Sequence, residues 1–133
     1  MSDAQTRKLP TPEANEETQR FWDAARDGKL LIKRCCSCGN PHYYPRSICP
    51  FCFSDDTRWE ESSGKGALYS FSTMRRGPGT PYTIAYVTLD EGPSVMTNIV
   101  DCDHDALAVG DRVTVRFVPT DGPPVPMFTP AKD

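Results

Sequence analysis

No stretch of this 133-residue chain approaches the ~20 consecutive apolar residues that a membrane-spanning helix requires. The first residues, Met1-Ser2-Asp3-Ala4-Gln5-Thr6-Arg7-Lys8, hold no apolar core of a signal peptide, so a cytoplasmic chain is expected. There are two histidines, and no Ser-His-Asp order, promising pair of carboxylates or phosphate-binding glycine loop is visible. Gly77-Pro78-Gly79 is too rich in proline to cradle a phosphate and reads as a turn. A basic excess is missing too. Residues 1–58 carry nine Lys/Arg against eight Asp/Glu, and residues 59–133 carry six against ten. The net charge is −3. A nucleic-acid binder shows a basic footprint, and the larger part of this chain is acidic.

Two residue types are abundant. Of 13 prolines, ten cluster at 10–12, 41–50 and 119–130, where a fixed φ and a missing donor suit tails, tight turns and strand edges. Of six cysteines, five lie within 18 residues, in Cys35-Cys36-Ser37-Cys38-Gly39 and Cys49-Pro50-Phe51-Cys52. Taking Cys35 with Cys38 and Cys49 with Cys52 gives C-x2-C, ten residues, C-x2-C. Two residues between cysteines let one tight turn aim both sulfurs at one ion, and two such turns close a tetrahedral thiolate shell. A disulfide framework lacks a secretory signal, and a thioredoxin-like redox site needs one C-x2-C inside a βαβ unit. The spacing therefore predicts structural zinc, although iron accepts the same shell. Gly39 supplies the positive φ expected after the first pair, whereas Phe53 stands at the equivalent place and predicts a less regular second turn. Cys36, Cys102 and His104 read as bystanders, and His42 need not be a ligand.

The pattern divides the chain into a tail and helix (1–29), a metal ribbon (30–58) and a β-rich remainder (59–133). Residues 13–27 predict a helix, with Thr18, Phe21, Trp22 and Ala25 on one face and Gly28 at its end. Leu30–Arg34 and Thr57–Glu60 predict the strands entering and leaving the ribbon. Beyond Gly64 the expected strands are 66–76, 82–89, 94–100, 112–117 and 125–128. A brief helical turn at 103–108 falls between the third and fourth, and the last strand, bounded by proline, is expected at an edge. Five short antiparallel strands in about 70 residues can close an OB-type barrel. In the second strand Ala85, Val87 and Leu89 face inward, which leaves Tyr82, Ile84 and Tyr86 as an outward apolar face.

These residues carry a family resemblance: the Phe21-Trp22 helix, Gly28-Lys29-Leu30, Cys35-x2-Cys38-Gly39, Tyr44-Pro45-Arg46, Cys49-Pro50-x-Cys52, and the barrel ending Pro126-Met127-Phe128. The chain resembles the "domain of unknown function 35" family from about residue 20 to 130. The resemblance implies a mainly β protein: an N-terminal helix, a rubredoxin-like zinc ribbon and a five-stranded OB-fold barrel. It also implies a non-catalytic accessory subunit that binds a thiolase-like enzyme (a thiolase, acyltransferase or retro-aldolase) and helps hold acyl-CoA. The residues agree, because a thiolase reaction needs an activated cysteine with a base. With four cysteines on metal, only Cys36 and Cys102 remain.

Three further expectations follow. Phosphates of coenzyme A need cations, and Arg46, Arg75 and Arg76 are the candidate cluster. A partner enzyme needs an apolar surface, for which Phe21 and Trp22 on the helix and Tyr82, Ile84 and Tyr86 on the strand are the candidates, with internal docking of the helix as the alternative. A single-stranded nucleic-acid binder, stacking bases on barrel aromatics, is the competing function.

Overall fold

The computed structural model describes residues 9–79 and 81–131. The first eight residues of the expected tail, Thr80 of the expected turn and the last two residues lie outside them.

Helix α1 (Gln19–Arg26) is shorter than the expected 13–27. The cause lies in the preceding turn. The Asn15 N–H donates to Thr18 Oγ1 and the Thr18 N–H to Asn15 Oδ1, both at 3.0 Å. These side chains take over the backbone donors and close a turn where a helix would otherwise begin. The early glutamates are left outside, and Glu17 instead accepts from the Ser47 N–H at 2.6 Å. At the far end Gly28 has φ +78°, and the N–H groups of Gly28 and Lys29 return to Ala25 O and Ala24 O. That is a Schellman ending, in which glycine adopts the left-handed conformation at no steric cost.

Strands β1 (Leu31–Cys35), β2 (Pro41–His42) and β3 (Thr57–Glu61) form an antiparallel sheet in the order β2-β1-β3. β3 pairs along all of β1, from Leu31↔Glu61 to Cys35↔Thr57, so the ribbon sheet continues past residue 58 and ends at Glu61. The helix docks on this sheet. Phe21, Trp22 and Ala25 are buried, and the Phe21 ring meets those of Trp22, Tyr43 and Tyr44 edge-on, with centroids 4.8, 5.7 and 5.2 Å away. The Trp22 indole N–H donates to Tyr44 Oη at 2.7 Å. Phe21 and Trp22 thus anchor the helix internally, which corrects their candidacy as partner contacts: burial leaves neither ring a face to offer.

Across the ribbon, Arg34 meets Glu60 with two hydrogen bonds, Nε to Oε1 at 2.7 Å and Nη2 to Oε2 at 3.2 Å. The Arg34 hydrogen bond holds the Glu60 carboxyl below the usual carboxylate range. Because the folded-state pKa is lowered, the pair stabilises the ribbon above the ordinary glutamate pKa, and its contribution disappears as pH falls through the lowered value. Glu60→Gln is expected to cost about 0.5–1 kcal/mol at neutral pH. Denaturation of wild type and variant across pH should show the two converging in acid.

Five strands close the barrel: β4 (Lys65–Met74), β5 (Tyr82–Leu89), β6 (Ser94–Ile99), β7 (Arg112–Val118) and β8 (Val125–Pro130), in the order β4-β5-β6-β8-β7. A 3-10 turn at His104–Ala106 lies between β6 and β7. This is an OB-fold barrel, with strands close to those expected. β8 is not an edge as expected, because the barrel has none. Toward β6 it pairs only around Phe128, through Ile99↔Phe128 and the Val100 N–H to Phe128 O at 2.8 Å. Most of that side carries no ladder, so Pro126 is tolerated there. The pairing of β4 with β5 and β7 requires glycine at 66, where an added Cβ would lie 2.5 Å from Thr88 O. Leu68, Ala85, Val87, Leu89, Ile99 and Phe128 pack inside the barrel, and the cluster runs on into Phe21, Leu30 and Ile32. Helix, ribbon and barrel therefore share one core.

Candidate metal centre and its surroundings

β1 delivers Cys35 into the first knuckle, and the turn after β2 delivers Cys49 into the second. The two knuckles have the same backbone plan. The Gly39 N–H returns to Cys35 O at 3.0 Å and the Phe53 N–H to Cys49 O at 2.9 Å. Gly39 has φ +80° and Phe53 φ +67°. The irregularity expected at Phe53 is therefore absent. A phenylalanine occupies the left-handed conformation instead, at a cost of about 1–2 kcal/mol.

All four Sγ atoms of Cys35, Cys38, Cys49 and Cys52 lie within 4.8 Å of one another. Cys35 to Cys52 is 3.6 Å and Cys38 to Cys49 is 3.7 Å. A tetrahedron of sulfurs at about 2.3 Å from one ion has edges of about 3.8 Å, whereas a disulfide is about 2.05 Å. The donor set fits a four-thiolate metal site. Backbone donors reinforce it: Ser37 and Cys38 N–H groups point at Cys35 Sγ and the Phe51 N–H at Cys49 Sγ, each at 3.3 Å. The Cys38 N–H, chiefly, holds the Cys35 thiol down to about 6. Burial raises the Cys49 thiol, but the N–H groups of Cys52 and Phe51 outweigh it and the balance is downward. The Ser54 N–H lowers the Cys52 thiol, yet burial and the three crowded sulfurs push it up to about 12. A divalent cation at the centre removes that crowding penalty.

Cys36 is exposed and outside the cluster, its N–H bound to Asp56 O at 2.7 Å. His42 is buried, and its Nε2 accepts the Arg46 N–H at 3.1 Å, so it serves the turn. Burial, first of all, lowers its pKa and keeps the ring neutral.

The three arginines do not form one cluster. Arg46 lines a cleft of about 310 Å³ between ribbon and barrel, together with Tyr44, Phe51 and Ser94. Arg75 and Arg76 follow β4 at its other end, and Arg75 is paired with Asp105 at 2.8 Å. Ser94 pairs with Thr88 and thereby sits near Ala67 on β4, seven residues from Met74, or about 20 Å of strand. A contact that sequence reading passed over lies nearby: His104 Nδ1 is 2.8 Å from Thr83 Oγ1 and 3.7 Å from Cys102 Sγ. Its only signal was the spacing of Cys102 and His104. Burial, then the charges of Asp103 and Asp101, push the Cys102 thiol up, the reverse of what a nucleophile needs.

Two family models match consecutive segments: the rubredoxin-like zinc ribbon domain of ChsH2 at residues 22–58 and the C-terminal OB-fold domain of ChsH2 at residues 59–118. A DUF35 domain-containing scaffold protein of Methanothermobacter thermautotrophicus is 36% identical over 76% of this chain and 81% of its own length. The chain belongs to the DUF35 family. Among other relatives, a probable enoyl-CoA hydratase alpha subunit of Thermomonospora curvata is 32% identical over 92% of this chain. This chain spans only 40% of that relative's length. The benzoylsuccinyl-CoA thiolase subunit BbsA of Thauera aromatica is 31% identical over 58% of each chain. In solved structures, a chain of the Ltp2-ChsH2(DUF35) aldolase superposes with a TM-score of 0.81 at 31% identity, covering 92% of this chain and 100% of its own. No helix among the described residues is long and apolar enough to cross a membrane.

Proposed function

We propose that this DUF35 chain is a non-catalytic accessory subunit of a CoA-dependent thiolase-fold enzyme that cleaves or forms carbon–carbon bonds, and that its thiolate site holds structural zinc. The single observation that carries the reading is the closed metal site. Four protein sulfurs fill a tetrahedron and leave no position for water or substrate, as in structural rather than catalytic zinc sites. Support comes from the relatives, one named as a thiolase subunit and another as part of an aldolase. It comes also from Cys102, whose raised thiol is unsuited to attack. The coenzyme contact is assigned to the Arg46 cleft, which Tyr44 and Phe51 also line, rather than to Arg75, whose charge is already matched.

The test is reconstitution. The purified chain alone is expected to show no acyl-CoA turnover, and addition of the enzyme that accompanies it in its host should restore turnover. Arg46→Ala in the same assay should raise the KM for acyl-CoA. Turnover by the chain alone would falsify the accessory reading. Red colour and absorbance of the purified protein would replace zinc with iron.

A further inference from the structure

We infer that the outer face of β4–β5–β6 and the second zinc knuckle form one docking surface for the partner enzyme; the inference rests on the accessory-subunit reading. Ten large hydrophobic residues are exposed among the described residues, and nine of them fall on two neighbouring patches. Tyr69, Met74, Ile84, Tyr86 and Met96 stand on the outer face of the barrel. Tyr44, Ile48, Phe51 and Phe53 stand on the ribbon. The patches are continuous, because Phe51 and Ser94 line the same cleft and Ser94 begins the outward series of β6 that continues to Met96.

Charge singles out the same face. β4, β5 and β6 read KGALYSFSTM, YTIAYVTL and SVMTNI, with Lys65 their single charged residue in a chain that is 25% charged. Interface cores are depleted of charge in this way. Half-exposed side chains of this size present roughly 100 Å² each, so nine present about 900 Å². That is beyond the ~300–600 Å² of the largest patch on a typical monomer and matches the ~800 Å² per partner of a standard interface.

Phe53 adds a third observation. It holds the disfavoured left-handed φ of +67° while it is 77% exposed, so little packing of its ring against the described residues repays the strain. Glycine would serve the knuckle better, and an aromatic kept there in strain points to a contact outside the chain.

The occupant is a different protein rather than a second copy. A two-fold pairing through the middle of this elongated surface would bring the apolar knuckle of one copy onto the other end of its mate. That end carries Arg75 and Arg76, both exposed. An apolar face of the thiolase-fold enzyme, with a carboxylate opposite Arg76 at the hairpin end, complements both ends.

The experiment uses the full chain and the thiolase-fold enzyme recovered with it from its host, with affinity, hydrogen exchange and melting measured on each variant. Ile84→Glu, at an exposed position, is expected to weaken the complex about 30-fold or more. Phe53→Gly is expected to raise the melting temperature of the isolated chain and yet weaken the complex about tenfold. Arg26→Glu, on the exposed side of α1, should bind as wild type. Exchange protection in the complex should cover residues 51–53, 84–86 and 94–96. A stable complex in which Ile84→Glu and Phe53→Gly bind as wild type, with protection elsewhere, overturns this surface and leaves the accessory reading standing. Sedimentation showing a wild-type dimer that Ile84→Glu dissolves overturns the occupant. Recovery of no thiolase-fold enzyme overturns the accessory reading and this inference together.

Discussion

Cys38→Ser is expected to release the metal and unfold the ribbon. Four sulfurs converge on one point from two turns that are otherwise tied only by a short sheet and a few hydrogen bonds, such as Ser37 Oγ to Ser54 Oγ at 2.9 Å. Binding free energies of ~10–16 kcal/mol are typical where structural zinc and folding are linked. That is comparable to the whole stability of an ordinary domain, about 5–15 kcal/mol. The loss should spread beyond the ribbon, since Leu30 and Ile32 belong to the core that also contains Leu68 and Phe128. Elemental analysis should show metal near one per chain in the wild type and near none in the variant, with the β-sheet circular dichroism reduced. Cys36→Ser should keep full metal content, because Cys36 is exposed and outside the sulfur cluster. Ligation competes with protonation of the thiols, so metal release should also follow as pH is lowered. Full metal in the Cys38 variant would require another fourth ligand.

The second large effect is at Trp22. Trp22→Ala removes a residue that is 7% exposed, edge-on to Phe21 at 4.8 Å and hydrogen-bonded to Tyr44 at 2.7 Å. Emptying such a site costs about 3–5 kcal/mol. For a chain of this size the melting temperature should fall by about 10–20 °C. Tyr44→Phe removes the hydrogen-bond partner alone and should cost about 1 kcal/mol. Calorimetry of both variants checks the ranking. Affinity of folded Trp22→Ala protein for the partner enzyme should be close to wild type. A large loss of affinity without loss of stability would put the indole at an interface instead.

The metal site was the most legible feature of the chain. Ligand spacing within a tight turn is a local property, and C-x2-C leaves the backbone few ways to place two sulfurs. The barrel strands were legible for a similar reason: alternation in Tyr82–Leu89 and Arg112–Val118 reports a half-buried strand residue by residue. Phe53 misled because glycine is the cheapest answer to a positive φ but not the only one. The helix start misled because Asn15 and Thr18 satisfy each other's backbone, an exchange that composition does not reveal.

Tertiary structure decided what depends on distance between segments far apart in sequence. Phe21-Trp22 and Ile84-Tyr86 look equally sticky along the chain. Whether an aromatic pair meets its own ribbon or solvent depends on where Tyr43 and Tyr44 come to lie, and the fold buried the first pair and exposed the second. Arg46, Arg75 and Arg76 are alike in charge, yet the length of a barrel strand separates them. Cys102 and His104 are close in sequence, but the Thr83 hydroxyl that meets His104 arrives from strand β5. Local chemistry, carried by a few bonded neighbours, is written in the order of residues. Which surfaces remain free is set by long-range packing, and the exposed apolar face emerges only once the barrel has closed and the helix has been seated elsewhere.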